Sequence, residues 1–486
     1  MYRDLREYLA ELERRQMLRR IQTQLSPALE ISEVTDRICK GPADHNQALL
    51  FESVAGHDVP VATNLFGSEQ RMALALGVER LDELGERLAE LLDFRLPQGL
   101  GGMIGRGQDM LSAMRAIGLG PSKVRSGPVH ELIEKDTARL SSLPVLTCWP
   151  EDGGPFITLP QVITRDPETG TRNVGMYRLQ VVDERRLLMH WQRHKGGAEH
   201  ERLAKEQAKP TIPAAIVLGG DPAAMWCASA PLPPNIDEYL LAGWIRGKPV
   251  EFVDCQTIPL EVPAQAEIVI EGFVDPNARL PEGPFGDHTG YYTPVEPFPV
   301  FNVTAITRRR EAIYPATLVG IPPMEDVWMG KAAERLFLPL MRLFLPEIVD
   351  VNMPAEGVFH NLVLVSIQKR YPGHARKVIH GLWGLGLLML AKAIVVFDEW
   401  VDVQNTSQAA WQALGNVDWS KDAVISDGPV DQLDHASYQP LFGGKIGIDA
   451  TAKLPEEGYR RGWPKPVSMT PEVKARIEEL WPGLGL

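Results

Sequence analysis

The hydrophobic residues at the start of the chain recur with the spacing of an amphipathic helix. The later ones stand three, four and seven positions after the first, at Leu5, Tyr8, Leu9 and Leu12. This spacing puts them on one helical face and predicts a helix over residues 4–18. Similar patterns predict three more helices and one strand, at residues 28–40, 68–77 and 80–93 and at residues 48–53. Residues 1–120 are therefore interpreted as an N-terminal α/β lobe.

Short apolar runs separated by proline and glycine fill the middle of the chain. Runs of this kind are typical of strands. They lie at residues 156–164, 173–182, 187–193, 214–218, 267–273 and 300–307. One short helix is predicted to begin at Glu238. We expect a mainly antiparallel sheet or barrel, in a central domain of residues 121–315.

Helices alternate with apolar strands in the last third of the chain, which predicts an α/β lobe over residues 316–447. The predicted elements are helices at 331–345 and 374–391 and strands at 348–351, 362–367 and 394–397. Residues 378–397 form an apolar run long enough to span a membrane. Glycines in its first part and β-branched residues at its end instead indicate a buried helix followed by a buried strand.

The C-terminal tail, residues 448–486, is polar and rich in proline, with a helix predicted at 471–480. Such a tail either reaches across to a neighbouring subunit as an oligomerisation segment or forms a loose terminus. The sequence does not choose between the two.

Two strand-like runs between Asn173 and Gly197 flank a charged turn at residues 183–186, which is the signature of a hairpin. Polar residues interrupt both runs, at Asn173, Arg178, Gln180, His190, Gln192, His194 and Lys195. These side chains either line a ligand site or form the solvated face of a hairpin. The pattern alone does not decide between these interpretations.

The charge and cysteine content restrict the partners and the compartment. The 486 residues include 50 basic and 63 acidic ones, a formal net charge of −13. This balance argues against a nucleic-acid partner, because binding of nucleic acid depends on neutralising phosphates. The four cysteines include no C-x-x-C pair, which predicts reduced thiols without a zinc site. With no apolar secretory segment at the N-terminus, we expect a cytoplasmic protein.

The string from Glu282 to Asp287 holds two carboxylates five positions apart, among glycines and a proline that force a turn. An arginine between the two acids would hold one of them ionised. The other, in a drier setting, would titrate near neutrality and donate a proton. Standing alone, a string of this kind is more often a surface turn than a catalytic site.

Several separated motifs together resemble the UbiD family of reversible (de)carboxylases. They are Thr147-Cys-Trp-Pro-Glu-Asp152, Asn173-Val-Gly-Met-Tyr-Arg178, Glu282-Gly-Pro-Phe-Gly-Asp287-His-Thr-Gly-Tyr and Gly447-Ile-Asp-Ala-Thr. The resemblance covers essentially the whole chain. It implies an N-terminal α/β lobe, a central split-β-barrel flavin-binding domain and a C-terminal α/β lobe with a helical tail. It also implies prenylated FMN as the cofactor, with Mn²⁺ or Mg²⁺ and with K⁺ at its phosphate.

The resemblance implies catalytic roles for Arg178, Glu282 and Asp287. Asp287 matches the proton donor of the family, and Glu282 matches the acid that pairs with the arginine. The implied metal ligands are Asn173, His190 and Glu238. The implied cofactor contacts are Asn173, Met176, Tyr177, Arg178, His190, Trp191, Gln192, Lys195, Gly196 and Glu238.

The spacing within the hairpin creates a conflict for His190. One extended strand from Asn173 to Arg178 would span roughly 17 Å, about the length of FMN, and would carry both ends of the cofactor. A simple hairpin would put His190 opposite Leu179, roughly 20 Å of strand away from the metal end. Either the strand bends at Gly175, or the strands are not neighbours, or His190 is a structural histidine.

The implied activity is the non-oxidative decarboxylation of an aromatic acid, with release of CO₂ and protonation of the carbon by Asp287. The modified flavin would act as an electron sink. Strings such as Asp434-His-Ala-Ser-Tyr438 look most similar to the menaquinone branch, which implies a 1,4-dihydroxy-6-naphthoate-type acid. The alternative within the family is a 4-hydroxy-3-polyprenylbenzoate of ubiquinone biosynthesis. Alternatives of other classes are a split-barrel FMN redox protein and a binding protein without turnover.

The resemblance also implies partners. A flavin prenyltransferase would supply the cofactor, and the chain would form a homo-oligomer, either a dimer or a hexamer. A prenylated substrate would require peripheral contact with a membrane.

Overall fold

The N-terminal part of the chain forms a small α/β unit. The computed structural model describes residues 1–92, 120–193, 195–233 and 236–485. The first helices are α1 (Leu5–Arg14), α2 (Glu30–Lys40), α3 (Glu69–Ala75) and α4 (Asp82–Leu92), and the first strands are β1 (Leu18–Ile21), β2 (Ala48–Phe51) and β3 (Val61–Thr63). The Asp4 side chain caps α1, which buries the four predicted apolar residues. The predicted helical face is therefore confirmed.

The central part of the chain is built on a nine-stranded sheet. Its strands are β5 (Leu132–Glu134), β6 (Phe156–Ile157), β7 (Gln161–Arg165), β8 (Arg172–Gly175), β9 (Leu179–Val181), β10 (Arg186–Met189), β11 (Ile212–Leu218), β14 (Ile268–Glu282) and β15 (Glu296–Arg308). The path runs β6-β9-β10-β15-β14-β11-β7-β8, with β5 beside β15, and every pair is antiparallel. Within the described residues this path does not close into a complete barrel.

Smaller elements surround this sheet. A three-stranded sheet is formed by β4 (Ser122–Lys123), β12 (Glu251–Asp254) and β13 (Glu261–Pro263). The helices of this region are α5 (Gly196–Glu206), α6 (Pro222–Cys227) and α7 (Glu238–Arg246). The short β16 (Tyr314–Pro315) returns to pair with β3 of the N-terminal sheet. Apolar residues of both sheets, such as Phe51 and Phe301, share one core, so the two units pack as one body.

The C-terminal lobe is a five-stranded sheet covered by helices. Its strands are β17 (Ile348–Asn352), β18 (Leu362–Ile367), β19 (Ala393–Asp398), β20 (Ala423–Pro429) and β21 (Phe442–Asp449), and its helices are α8 (Glu325–Phe344), α9 (His374–Trp383) and α10 (Thr406–Asn416). The strand order is β17-β18-β19-β21-β20. A final helix, α11 (Pro471–Leu480), follows in the tail. The mixed α/β architecture is as expected, whereas the exact domain boundaries remain predictions.

The apolar run at residues 378–397 is a helix followed by a strand, as predicted. Helix α9 ends at Trp383, a short 3₁₀ turn follows, and β19 begins at Ala393. Val378 and Val396 are both fully buried in the core of the C-terminal lobe. No helix among the described residues combines the length and the apolar composition that crossing a membrane requires.

Two predicted strands are each broken in the structure. The run at 173–182 forms β8 and β9, which lie at different places in the sheet, so the prediction of one extended strand is wrong. The break has a local cause, because the Met176 N–H leaves the ladder and donates to the Ala228 carbonyl at 2.8 Å. The Tyr177 ring also folds back so closely that a Cβ on Gly175 would lie 2.0 Å from it. The run at 156–164 divides similarly into β6 and β7.

The predicted hairpin is present, but its register differs by one residue. Strands β9 and β10 pair with Met189, not His190, opposite Leu179. The His190 N–H instead donates to the Arg178 carbonyl at 3.3 Å. His190 therefore lies beside Arg178.

Candidate active site

Arg178 lies between the two predicted carboxylates and contacts both. Its Nε donates to Glu282 Oε1 at 2.8 Å, and its Nη2 donates to Glu282 Oε2 at 3.1 Å. Its Nη1 donates to the Asp287 carboxylate, and Nη2 also reaches Thr293 Oγ1 at 3.1 Å. The Arg178 side chain is 7% exposed and that of Glu282 is 0% exposed. The three side chains proposed for catalysis are thus brought together in a buried, charge-assisted cluster.

The backbone delivers these side chains from two directions. Arg178 comes from the break between β8 and β9. Glu282 is the last residue of β14, paired with Glu296 of β15, and Asp287 lies in the turn that follows. The β14–β15 register shifts twice on the way to Glu282, once after Glu271 and once after Asp275. The long strand pair therefore carries Glu282 to a defined point opposite Arg178.

The Asp152 carboxylate fixes the turn that carries Asp287. Its Oδ1 accepts from the Gly286 N–H at 2.8 Å, and its Oδ2 accepts from the Trp149 and Cys148 N–H groups at 2.9 and 3.1 Å. Gly286 also lies against the Trp149 indole, where an added Cβ would be 2.2 Å from a ring carbon. The Thr147–Asp152 motif therefore supports the catalytic turn rather than supplying a reacting group.

Replacement of Gly286 by alanine is expected to damage this turn. The new methyl group would overlap the Trp149 ring, and overpacking of this kind costs roughly 1–3 kcal/mol. We expect a lower urea midpoint and lower activity for Gly286→Ala. The matched control is Gly415→Ala in α10, where an added Cβ meets nothing within 4 Å. If Gly286→Ala is as stable as this control, the indole does not confine the turn.

Both carboxylates are held ionised in this arrangement. Burial acts to raise the pKa of Glu282, but hydrogen bonds from His190 and Arg178 and the arginine charge lower it to about 2. Burial likewise opposes ionisation of Asp287, yet Arg178 and His288 hold its pKa well below the usual range. The expectation that one acid titrates near neutrality is therefore not met in this state. The reason is that Arg178 contacts both acids and each acid also faces a histidine.

His190 belongs to this carboxylate cluster. Its Nδ1–H donates to Glu282 Oε2 at 3.1 Å, and its ring packs against Phe298 with centroids 4.2 Å apart. Burial, and then the Arg178 charge, lower the pKa of His190, so the ring is neutral near pH 7. Its Nε2 is buried and has no hydrogen-bond partner among the described residues.

The other two predicted metal ligands lie around the start of β8. The Asn173 amide donates to the Tyr177 hydroxyl at 3.2 Å, and this hydroxyl also accepts from the Gly197 N–H at 3.2 Å. Glu238 Oε2 accepts from the Val174 N–H at 2.7 Å, and burial raises the pKa of Glu238 to about 8.

The predicted metal ligands Asn173, His190 and Glu238 include an amide, and this set remains a prediction. The described residues contain no group of three or more His, Cys, Asp or Glu side chains arranged to hold a metal ion. His190 contacts Glu282, because the hairpin register puts it opposite Arg178. The His190 Nε2 has no partner among the described residues, so the assignment of His190 as a metal ligand remains a prediction. Asn173 and Glu238 remain as candidate oxygen donors.

The remaining predicted cofactor contacts lie along the end of β10 and the start of α5. Trp191 is buried, and its Nε1 has no hydrogen-bond partner among the described residues. Met176, Gln192 and Lys195 are half-buried, and burial lowers the pKa of Lys195. A Cβ on Gly196 would lie 1.9 Å from Asn173 Oδ1, so this position leaves no room for a side chain. His194, part of the polar pattern, lies outside the described residues.

Two histidines extend the cluster into the C-terminal lobe. Asp287 Oδ1 accepts from His288 Nδ1 at 2.8 Å, and His288 Nε2 lies 2.9 Å from His360 Nε2. The charge of Asp326 in α8 interacts with His288, and burial raises the pKa of Asp326 to about 7. His288 follows Asp287 in the motif that begins at Glu282, so the sequence offered a reason to include it in the site. No sequence pattern pointed to His360, because only the fold brings it close to His288.

Two cavities lie away from this cluster. One of about 140 Å³ is lined by Asp221 and Arg246, and another of about 370 Å³ is lined by Arg6 and Glu13. Neither is lined by any of the three proposed catalytic residues. We place the candidate site at the charged cluster, because perturbed and mutually paired titratable groups mark functional sites better than an empty volume does.

The chain matches a set of three family models. They describe the N-terminal domain, the Rift-related domain and the C-terminal domain of 3-octaprenyl-4-hydroxybenzoate carboxy-lyase. The matched residues are 9–88, 122–322 and 327–450. Two similar proteins are uncharacterized proteins of Aquifex aeolicus and Archaeoglobus fulgidus. The first is 51% identical, covering 100% of this chain and 99% of the relative, and the second is 49% identical, covering 99% and 98%.

Solved structures of similar fold include two enzymes. The UbiD-class enzyme HmfF from Pelotomaculum thermopropionicum, in complex with FMN, is 30% identical with a TM-score of 0.79, covering 98% of this chain and 99% of that one. The vanillic acid decarboxylase of Sedimentibacter hydroxybenzoicus, in closed form, is 28% identical with a TM-score of 0.84, covering 99% of both chains. The fold and the charged cluster thus define a carboxy-lyase. The chain belongs to the UbiD family.

Proposed function

We propose that this enzyme catalyses the reversible, non-oxidative decarboxylation of an aromatic carboxylic acid with prenylated FMN. The observation that carries the proposal is the buried contact of Arg178 with both Glu282 and Asp287. An evolved dimeric form of HmfF, 29% identical to this chain, was solved with prenylated FMN. A second structural neighbour, the vanillic acid decarboxylase, acts on an aromatic acid.

The residues around Asn173 fit a bound flavin mononucleotide. Gly196 lets the backbone lie directly against the Asn173 amide, and the buried Trp191 Nε1–H lacks an acceptor among the described residues. Lys195 directly precedes α5, whose N-terminal N–H groups and positive dipole end favour a phosphate. We place the phosphate end here and the ring end near Arg178. When bound, the prenylated flavin supplies an electron sink for the pair of electrons left on the substrate carbon.

Asn173 and Glu238 are the proposed ligands of Mn²⁺ or Mg²⁺ at the phosphate. Amide and carboxylate oxygens suit these hard cations. Burial raises the pKa of Glu238, and a bound cation would offset this cost of ionising the carboxylate. K⁺ is proposed from the family resemblance.

Glu238→Gln is expected to weaken retention of the divalent metal. The amide still accepts from the Val174 N–H, so the local fold should persist, but the negative charge is lost. We expect a drop of roughly 10–100-fold in metal affinity, the range seen when metal sites lose a supporting group. Elemental analysis of the metal-to-flavin ratio would measure it. The control is Glu261→Gln, an acid that pairs with Arg165 and Arg172 instead. An unchanged metal content in Glu238→Gln would remove this residue from the site.

Arg178 is proposed to receive the carboxylate of the incoming substrate. A guanidinium makes two parallel hydrogen bonds to one carboxylate. A second carboxylate would compete for the Nη1 contact that now holds Asp287 ionised. Partial release of Asp287 would raise its pKa and prepare it to donate a proton to the carbon that loses CO₂. Glu282, which accepts from His190 as well, would stay ionised and keep Arg178 oriented.

The proposed substrate is a 1,4-dihydroxy-6-naphthoate-type acid of menaquinone biosynthesis. Its support is the similarity of the C-terminal strings around Asp434 to that branch. A 4-hydroxy-3-polyprenylbenzoate is the second candidate, and with it a peripheral membrane contact. Met329 and Leu336 of α8 lie in the core beside the N-terminal unit, so these apolar side chains do not favour either acid.

We also propose a homo-oligomer, a dimer or a hexamer, that uses the tail. Apolar side chains of the tail are exposed in the single chain, among them Val467, Met469 and Trp481. Burial of such side chains against a second subunit would remove apolar surface from water.

The proposed function is tested on enzyme co-expressed with a flavin prenyltransferase. We expect the extracted cofactor to have the mass of prenylated FMN and the enzyme to release CO₂ from the dihydroxynaphthoate. Release from the prenylated hydroxybenzoate alone would move the enzyme to the ubiquinone branch. Unmodified FMN together with oxidation of NAD(P)H would favour a redox protein, and absence of turnover on both acids would overturn the proposal.

A further inference from the structure

Decarboxylation consumes one proton in each turnover, and the source of this proton needs a place in the site. The bond from the ring carbon to the carboxyl carbon breaks, CO₂ leaves without the electron pair, and a C–H bond forms with the proton. Asp287 is buried and is held ionised by Arg178 and His288. Asp287 therefore does not carry the proton itself before the substrate arrives.

His288 is in position to hold the proton beside Asp287. Its Nδ1 lies 2.8 Å from Asp287 Oδ1, and its backbone N–H donates to the same oxygen at 2.7 Å. A carboxylate only accepts, so the His288 Nδ1 carries a hydrogen. On the other side of the ring, Nε2 lies 2.9 Å from His360 Nε2. One hydrogen must sit between these two nitrogens, since two bare or two protonated nitrogens would repel each other.

The charges around the two rings assign this hydrogen to His288. Burial acts to lower the pKa of His288, but the hydrogen bond and charge of Asp287, with Asp326 and Asp431, raise it overall. Burial and the neighbouring His288 lower the pKa of His360 to about 4. Lys195 also lowers it, while Asp431 and Asp287 act in the opposite direction. The groups facing the pair thus favour a cationic His288 that donates to a neutral His360.

His360 reaches this position from the C-terminal lobe. It precedes β18, and the Phe359 ring stacks on His288 with centroids 5.3 Å apart. Val358 and Phe359 have φ values of 45° and 48°, a left-handed conformation that is unusual for residues with bulky side chains. Such strain persists where surrounding contacts hold the backbone, and it is concentrated at functional sites. The hydrogen bond from His288 to His360 therefore crosses the boundary between the central sheet and the C-terminal lobe.

We propose that His288 stores the proton that Asp287 delivers, and that His360 acts as a positioning residue that holds the protonated ring across the lobe boundary. This inference depends on the proposed decarboxylation. When the substrate displaces Arg178 from Asp287, the His288 Nδ1–H bond breaks as an O–H bond forms on Asp287. Asp287 then passes that proton to the carbon. The neutral ring regains a proton from water after the product has left, and its Nε2–H stays bonded to His360 throughout.

The proposed proton store at His288 is tested first without turnover. The histidines are titrated by NMR in the full-length protein labelled with ¹³C at histidine Cε1. The chain has 11 histidines, and the His288 signal is identified by its absence from His288→Gln. We expect His288 to titrate above the ordinary value of 6.5. In His360→Phe, which keeps a flat ring but removes the acceptor, the pKa should fall by roughly one unit, the effect of losing one hydrogen bond to a charged group. His360→Gln keeps an acceptor oxygen and should retain most of the shift.

Turnover gives the second readout. The raised pKa of His288 means that its protonated form is full at low pH and is lost as the pH rises through that pKa. We therefore expect the alkaline limb of kcat to move to lower pH in His360→Phe and to be restored in His360→Gln. The control is His380→Phe, an exposed histidine of the same lobe.

The outcomes separate the two proposals. A wild-type His288 that titrates at or below 6.5 overturns the proton store whatever the activity. An active wild type whose alkaline limb and His288 pKa are unchanged in His360→Phe overturns the positioning role. A wild type that decarboxylates no aromatic acid overturns the proposed function, while the titration still decides where the proton resides.

Discussion

Asp287→Asn is expected to reduce kcat by at least roughly a hundredfold, within the range that general acid catalysis contributes. The amide has nearly the same shape and can still accept from His288, so the turn should stay folded. It has no acidic proton to give to the substrate carbon. We expect the loss in single-turnover rates as well as in steady state, because the chemical step itself is impaired.

The matched control for this variant is Asp254→Asn. Asp254 lies in the same domain and pairs on the surface with Lys123 at 2.6 Å. It should keep activity close to that of the wild type. If Asp287→Asn loses less than roughly tenfold in kcat, another group delivers the proton and Asp287 only orients Arg178.

Arg178→Met should cause the largest loss of stability in the chain's central domain. Removal of the cation leaves Glu282 and Asp287 buried without their partner, and breaking a buried ion pair in this way costs about 3–5 kcal/mol. Arg178→Lys should retain more stability but little activity, because an ammonium does not make the two-pronged contact. Urea unfolding and kcat measure the two effects. The control is Arg20→Met, whose exposed pairs with Glu13 and Glu52 should contribute at most about 1 kcal/mol.

The stability difference between the wild type and Arg178→Met should depend on pH. The pKa of Glu282 is lowered to about 2 in the folded protein, against an ordinary value of 4.5. A lowered carboxyl pKa stabilises the fold above the unfolded value and loses this effect as the pH falls toward the folded one. The difference should therefore be complete near pH 7 and shrink below about pH 4.5. A difference that stays constant down to pH 3 would show that the arginine acts by packing instead of charge.

Elements with strong local periodicity were predictable from the sequence. Helix α1 and the β9–β10 hairpin follow from residue spacing and turn chemistry alone. The break between β8 and β9 was not predictable, because it depends on a hydrogen bond to Ala228, far away in the chain. A shift of one residue in the register of the hairpin likewise changed the surroundings of His190. A pattern of apolar residues does not predict strand register to within one residue.

The candidate site shows the same division. Its charged residues stood out because they lie in compact motifs that resemble those of a known family. The ionisation of both acids could not be predicted, because it depends on the contact of Arg178 with Glu282 and Asp287 in the folded chain. His360 lies 72 positions from His288, and only the packing of the C-terminal lobe makes them neighbours. Partners across a lobe boundary are the part of a site that local sequence patterns describe least.

The register shifts between β14 and β15 have a consequence for how this chain tolerates insertions and deletions. Side chains alternate between the two faces of a strand, so the face that Glu282 occupies is set by an odd or even count of residues from the start of the strand. The shifts after Glu271 and Asp275 already absorb extra residues. Loss of a single residue between them and Glu282 would turn the carboxylate away from Arg178 with no change in composition. Length variation is therefore better tolerated in connecting loops than along this strand.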